Sequence, residues 1–241
     1  MTTDFDGDGK ADRTVYKQAT GEWLTLKSSS NFTTGQFKNV GGPDWAPVPG
    51  DYDGDSKSDY VVYNPTTGQW FGLMSSSGYT TSLVVFWGGG GIYTPVPADF
   101  DGDGKTDVAV YNQTLGTWYV RTSSDGFAGV IIRASGGVGW EPVAGDFDGD
   151  GKAEFAVHNR ATGRWFAQKS STGFTTSVSV LWGGPDYEPV RGDFDGDGRA
   201  DLAVYKVSNG GWYILRSSSG YTTTIVRTWG GAGWIPLGLN P

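Results

Sequence analysis

The sequence predicts an all-β fold, a five-bladed β-propeller with four antiparallel strands per blade, on three observations. An acidic nine-residue pattern begins at Asp4, Asp51, Asp99, Asp146 and Asp193, at offsets of 47 or 48 residues. A fixed period of that size marks a repeat architecture. Each period holds four short apolar or alternating runs separated by glycine-containing turns, and no stretch has helical periodicity. Four strands in about 47 residues make one blade, and five blades lie within the usual range of about four to eight. The repeats are 4–50, 51–98, 99–145, 146–192 and 193–239, and 1–241 is expected to be one domain. An open solenoid is the weaker alternative, because solenoids have shorter coils and specialised capping units.

Within each unit the acidic stretch leads into an apolar run such as Tyr60-Val61-Val62-Tyr63, then a turn such as Pro65-Thr66-Thr67-Gly68. The second run always carries a tryptophan, at Trp23, Trp70, Trp118, Trp165 and Trp212, and closes in serines. These tryptophans sit mid-strand and are expected in the core between blades. A hairpin signal such as Ser77-Gly78 or Asp125-Gly126 leads to the third run, which ends in a Gly pair. A short segment of the type Trp140-Glu141-Pro142-Val143 enters the next acidic stretch. By repeat register, residues 235–239 are expected to supply the inner strand of the blade formed by residues 12–42, which leaves no open blade edge.

The acidic stretch has the chemistry of a hard-cation site. Four carboxylates within nine residues repel one another by roughly 1–4 kcal/mol per pair at about 4 Å, and a Ca²⁺ ion with six to eight oxygen ligands converts that repulsion into coordination. Positions 1, 3, 5 and 9 offer side-chain oxygens and position 7 a backbone carbonyl. The predicted ligands are Asp4, Asp6, Asp8, Lys10 and Asp12; Asp51, Asp53, Asp55, Lys57 and Asp59; Asp99, Asp101, Asp103, Lys105 and Asp107; Asp146, Asp148, Asp150, Lys152 and Glu154; and Asp193, Asp195, Asp197, Arg199 and Asp201. Up to five Ca²⁺ ions are expected, one per repeat. An EF-hand is excluded because its bidentate Glu at position 12 is replaced by Val15, Val62, Val110, Val157 and Val204. The second stretch has Ser56 where the others have glycine, and the fourth ends in Glu154 instead of Asp.

With its acid at position 9 and strand-like residues after it, the pattern D-x-D-G-D-G-x-x-D resembles the FG-GAP and VCBS-type repeats over essentially the whole chain. The resemblance implies calcium loops joining the first two strands of propeller blades, as in integrin α-chains and many secreted bacterial proteins. It is specific for fold and metal and nearly silent about ligand.

The net charge of −8 says little about partners, because the five loops hold 20 of the 26 acids. The remaining six, Glu22, Asp44, Asp125, Glu141, Asp186 and Glu188, stand against 18 basic residues. Those bases are scattered, so nucleic acid is not an expected partner. With no cysteine, disulfides and thiolate metal sites are excluded. The single histidine, His158, replaces the tyrosine found at Tyr16, Tyr63, Tyr111 and Tyr205, which marks it as a packing residue. Met1-Thr2-Thr3 runs into the first loop without an apolar segment, so no signal peptide is expected in this sequence. Calcium loops nevertheless suit an extracellular site of action. A monomer that does not insert into membranes is expected.

A second aromatic series, Trp45, Tyr93, Trp140, Tyr187 and Trp234, follows each Gly pair, and Trp87, Trp182 and Trp229 precede three of those pairs. Rings on glycine-shaped loops suit stacking on the apolar face of a sugar, and equally suit plugging the gap between blades. The layout is similar to tachylectin-type five-bladed lectins, which lack calcium loops. Fungal lectins with integrin-like propellers combine such loops with sugar sites between blades. The expected function is a calcium-stabilised extracellular module for glycans or another cell-surface polymer. The alternative is a non-catalytic scaffold or adhesion domain of a larger secreted protein. No catalytic residue is expected. The remote exception is a glycosidase using Glu141 and Glu188, which hold equivalent positions in adjacent units.

Overall fold

A computed structural model describes residues 3–231. Among them are five antiparallel sheets and no α-helix. The first joins β1 (Arg13–Lys17), β2 (Glu22–Leu26) and β3 (Gly35–Asn39). The second joins β4 (Ala46–Pro47), β5 (Tyr60–Asn64), β6 (Gln69–Leu73) and β7 (Ser82–Phe86). The third contains β8 (Thr94–Pro95), β9 (Val108–Asn112), β10 (Thr117–Arg121) and β11 (Val130–Ala134). The fourth joins β12 (Trp140–Pro142), β13 (Val157–Asn159), β14 (Arg164–Gln168) and β15 (Ser177–Leu181). The fifth joins β16 (Tyr187–Val190), β17 (Leu202–Lys206), β18 (Gly211–Leu215) and β19 (Thr224–Thr228). These are the blades of an all-β, five-bladed propeller. The expected closing strand at 235–239 lies outside the described residues.

Sheet and sequence repeat are offset by one strand. The last segment of each of the first four repeats, such as Tyr187–Val190, pairs with the first strand after the next acidic loop. The loops beginning at Asp51, Asp99, Asp146 and Asp193 are therefore intra-sheet connections, and single bridges Gly50–Asp59, Ala98–Asp107 and Gly145–Glu154 close the necks of three of them.

The described residues form two compact units. One runs to Tyr111 and includes Tyr119–Ile131; the other takes Asn112–Trp118 and the residues from Ile132 on. In the first unit, Trp23 and Val40 of the first sheet pack with Tyr60 and Val62 of the second, and Val61, Tyr63 and Trp70 pack with Val108 and Val110. In the other unit, Trp165 and Ala167 of the fourth sheet pack with Leu202, Val204 and Leu215 of the fifth. The strand tryptophans are core, as expected: Trp23, Trp70, Trp118 and Trp165 are buried and Trp212 is half-buried. Four of their indoles donate to a backbone carbonyl 17 residues on, for instance Trp165 Nε1 to Trp182 O at 3.0 Å.

His158 is buried and pairs across the sheet with Trp165, as Tyr63 does with Trp70. At Tyr16 and Tyr205 the phenol oxygen accepts from Gly42 N at 3.0 Å and Gly231 N at 2.8 Å. The shorter imidazole leaves both ring nitrogens without a partner at bonding distance. Burial pushes its pKa down to about 4; the Trp182 backbone offsets this in part and the Arg160 charge adds to it. The unfolded chain takes up a proton near pH 6.5 while the folded chain does not, so stability falls as pH drops from about 6.5 to 4. His158→Tyr restores the hydroxyl and is expected to add about 1–2 kcal/mol at neutral pH and to flatten that acid limb. Urea melts at pH 7 and pH 4.5 measure both.

Candidate metal centre

Each acidic loop is organised by its own carboxylates. The position-1 side chain accepts from the two amides that follow the turn: Asp4 Oδ1 from Gly7 N at 2.6 Å and Oδ2 from Gly9 N at 2.8 Å, with the same pattern at Asp51, Asp99, Asp146 and Asp193. Position 5 accepts the amide of position 7, at 2.8–2.9 Å for Lys10, Lys57, Lys105, Lys152 and Arg199. Chain reversal over so few residues needs left-handed backbone, and Gly9 and Gly104 sit at φ of 82° and 85°. Ser56 takes φ 66° at the same place, where a side chain costs about 1–2 kcal/mol. Ser56→Gly is therefore expected to raise stability by about 1 kcal/mol, read as a later urea midpoint with unchanged slope.

Position 9 is the buried end. Asp59, Asp107 and Glu154 are wholly inaccessible and Asp201 nearly so. One oxygen accepts the amide of position 2 and the other an amide from a serine turn at the end of the second long strand. Glu154 Oε2 takes Phe147 N, and Oε1 takes Ser170 N at 3.0 Å and Ser170 Oγ at 2.6 Å. Asp12, Asp59, Asp107 and Asp201 make the equivalent amide pairs. The longer Glu154 keeps the same partners. Burial pushes the Asp59 and Asp107 carboxyls up to about 6 and Glu154 up to about 7, against the lowering effect of those hydrogen bonds.

The serine turns, Ser28–Ser30, Ser75–Ser77, Ser123–Asp125, Ser170–Thr172 and Ser217–Ser219, are the functional element missed from the sequence, where they appear only as strand ends. The second residue of each donates to position 3: Ser29 to Asp6, Ser76 to Asp53, Ser124 to Asp101, Ser171 to Asp148 and Ser218 to Asp195, all at 2.6–2.7 Å. In four units the first serine donates to position 5, as Ser75 does to Asp55 at 2.8 Å. The available signal was their constant offset from each acidic loop.

Carboxylate oxygens converge in every loop. Asp146, Asp148, Asp150 and Glu154 bring one oxygen each within 4.8 Å of one another, as do Asp4, Asp6 and Asp8; Asp51, Asp53 and Asp59; Asp99, Asp101 and Asp107; and Asp193, Asp195 and Asp197. Only the fourth loop gathers all four predicted carboxylates. In the fifth, Arg199 also binds Asp197 Oδ2, at 2.8 Å from Nη2. The fit to a hard cation rests on position 3. Asp53 Oδ1, Asp148 Oδ1 and Asp195 Oδ1 are buried with no hydrogen-bond partner, and a buried anionic oxygen left unpaired is costly.

The second aromatic series divides. Trp182 and Tyr187 come together with Leu181, Gly183, Val204 and Tyr213 around a cavity of ≈ 370 Å³. Tyr187 meets Tyr213 edge-on at 5.5 Å, and Trp182 Nε1 donates to Tyr213 O at 3.1 Å. Trp87, Tyr93 and Tyr119 repeat this arrangement, with the rings of Tyr93 and Tyr119 at 5.8 Å and Trp87 Nε1 bonded to Tyr119 O at 3.0 Å. Trp45 is half-buried against the Trp23 cluster, and Trp140 is half-buried with its carbonyl taken by Gln113 Nε2. Trp229 is 81% exposed; Trp234 lies outside the described residues. Val40 and Ser135, which replace the preceding tryptophan in two units, are buried. Glu141 and Glu188 share one arginine: Arg160 Nη1 binds Glu188 Oε1 at 2.6 Å, and Nη2 reaches Glu188 Oε2 and Glu141 Oε1, the latter at 2.9 Å.

Comparison with known proteins agrees with this geometry. Among solved structures, a streptogramin B lyase superposes with a TM-score of 0.58 at 9% identity, covering 94% of this chain and 67% of the lyase. An Agrocybe aegerita lectin specific for non-reducing terminal N-acetylglucosamine superposes with a TM-score of 0.58 at 15% identity, covering 93% of this chain and 63% of the lectin. At these identities the likeness is one of fold. No curated protein sequence matches the chain. The model of the FG-GAP-like repeat matches residues 51–110, 99–157 and 146–204, in phase with the acidic loops. By those matches, which span more than half of its length, the chain belongs to the FG-GAP-like repeat family.

Proposed function

We infer that this chain is a calcium-stabilised, non-catalytic module that binds neutral carbohydrate outside the cell. The observation that carries the sugar reading is the cavity of Trp182, Tyr187 and Tyr213, which is lined by aromatic and aliphatic residues and no charged one. A pyranose presents apolar C–H faces that such rings cover, while the phenol hydroxyls meet its polar rim. The matching Trp87, Tyr93 and Tyr119 cluster supplies a second site, and two weak sites on one molecule gain avidity on a clustered glycan. The lectin neighbour makes N-acetylglucosamine oligomers the first probe. The Arg160 bridge disfavours the glycosidase alternative, because both carboxylates are engaged by one guanidinium. No helix among the described residues is long and apolar enough to cross a membrane.

Calcium fits as the ion of the five loops. The carboxylates at positions 1, 3, 5 and 9, with the carbonyls of Lys10, Lys57, Lys105, Lys152 and Arg199, would hold it. When bound, it supplies positive charge to a carboxylate cluster whose buried members otherwise rest on amide and serine donors alone.

A glycan array probed with the full chain in calcium tests the sugar reading. N-acetylglucosamine oligomers or another neutral glycan are expected to register, and Tyr187→Ala with Tyr93→Ala to weaken that signal about tenfold or more at little cost in melting temperature. If no sugar registers and both substitutions only destabilise, the scaffold reading takes its place. Its own support is that Trp87 and Trp182 spend their indole N–H groups on the next sheet.

A further inference from the structure

We propose that the calcium loops do not fill independently: neighbouring loops of one compact unit bind metal with positive cooperativity, and a tyrosine hydroxyl makes the coupling tightest between the first and second and between the fourth and fifth. This rests on the calcium reading above and concerns how the loops communicate.

The first loop is linked to the second, the second to the third and the fourth to the fifth through the residues that would hold the ion. Position 1 of one loop accepts, at its backbone carbonyl, the amide of position 8 in the next: Asp4 O from Ser58 N at 2.5 Å, Asp51 O from Thr106 N at 2.6 Å and Asp146 O from Ala200 N at 2.6 Å. Position 8 lies between the ligands at positions 7 and 9, so fixing one loop on an ion fixes the donor or acceptor of its neighbour. A second link is steric. The aliphatic stem of position 7 lies over the position-4 glycine of the preceding loop, where a Cβ on Gly7 would be 2.8 Å from Lys57 Cε and one on Gly149 would be 2.9 Å from Arg199 Cδ.

The third link distinguishes the junctions. The aromatic residue after each serine turn adopts left-handed backbone, φ 68° at Tyr79, 67° at Phe127 and 62° at Tyr221. Such strain in a non-glycine residue persists only where its surroundings hold it. Tyr79 Oη lies 3.3 Å from Phe5 O of the first loop and 3.5 Å from Ser58 O of the second. Tyr221 Oη lies 3.0 Å from Phe147 O of the fourth loop and 3.1 Å from Ala200 O of the fifth. Between the second and third loops the same place is held by Phe127, which has the ring without the hydroxyl. An ion that orders one loop thereby lowers the ordering cost of the next, and the effect is reciprocal.

Calorimetric titration of the calcium-free full chain with calcium chloride tests this. Asp6→Asn with Asp8→Asn, which keeps the acceptors for Ser28 and Ser29, disables the first loop. It is expected to remove one equivalent and also to weaken a second site about fivefold or more, the lower end of typical coupling. In a Tyr79→Phe background, which gives that junction the aromatic residue of Phe127, the second effect is expected to shrink. Phe127→Tyr is expected to steepen the isotherm. Loss of one equivalent with every other affinity unchanged within about twofold would overturn the coupling. Equal weakening with and without the Tyr79 hydroxyl would overturn the part assigned to tyrosine. If the unaltered chain takes up no calcium, the metal reading falls and the coupling falls with it.

Discussion

Stripping calcium with excess EDTA is expected to lower the melting temperature by roughly 15–30 °C. Calcium modules that work outside cells bind with dissociation constants of about 10⁻⁴–10⁻³ M. At about ten times the dissociation constant each site adds about 1.4 kcal/mol, and five sites about 7 kcal/mol. For a chain of this size each kcal/mol moves the midpoint by about 2–4 °C. The physical origin is specific to these loops: three position-3 oxygens are buried without a donor, and burial raises the carboxyls of Asp59, Asp107 and Glu154. A scanning calorimetry trace unchanged by EDTA would show that the serines and glycine amides hold the loops closed unaided.

Glu154→Ala is expected to cost about 3–5 kcal/mol even in EDTA, because the buried Phe147 amide and the half-buried Ser170 amide lose their acceptor at about 1–3 kcal/mol each and the hydroxyl of Ser170 must find another. Asp148→Asn is the contrasting substitution. Its Oδ2 partner Ser171 can still donate to a carboxamide oxygen, while its unpartnered Oδ1 matters only to a cation. Urea melts of both variants, with and without calcium, should therefore separate. Glu154→Ala lowers both curves, and Asp148→Asn lowers chiefly the calcium curve. Equal behaviour of the two in EDTA would remove the distinction between a structural and a metal-facing carboxylate.

The period of 47 or 48 residues and the D-x-D-G-D-G-x-x-D pattern were enough to specify the all-β class, the number of blades, the strand carrying each buried tryptophan and the loops at which carboxylates converge. These are local or strictly periodic properties. A residue's place in the repeat sets which face of the strand it occupies, and five copies make the pattern legible without any contact being known. Even His158 declared itself as a tyrosine substitute from register alone, though its unpartnered nitrogens did not.

What tertiary structure decided are the contacts between segments far apart in a repeat or in adjacent repeats. The serine turn reaches the loop across 16 to 23 residues. Tyr79 and Tyr221 reach the preceding loop across 74. Nothing in a serine's immediate neighbours says that a carboxylate lies opposite, because strand pairing brings the two together. The same holds for the second aromatic series, whose sequence context is one Gly pair throughout. Trp182 and Tyr187 gather at a cavity because Tyr213 of the fifth sheet completes its wall, whereas Trp45 is half-buried in the cluster that joins Trp23 of the first sheet to Tyr60 of the second. Glu141 and Glu188 read as an acid pair until folding placed Arg160 between them, an interaction that depends on distance in space and leaves no trace in spacing along the chain.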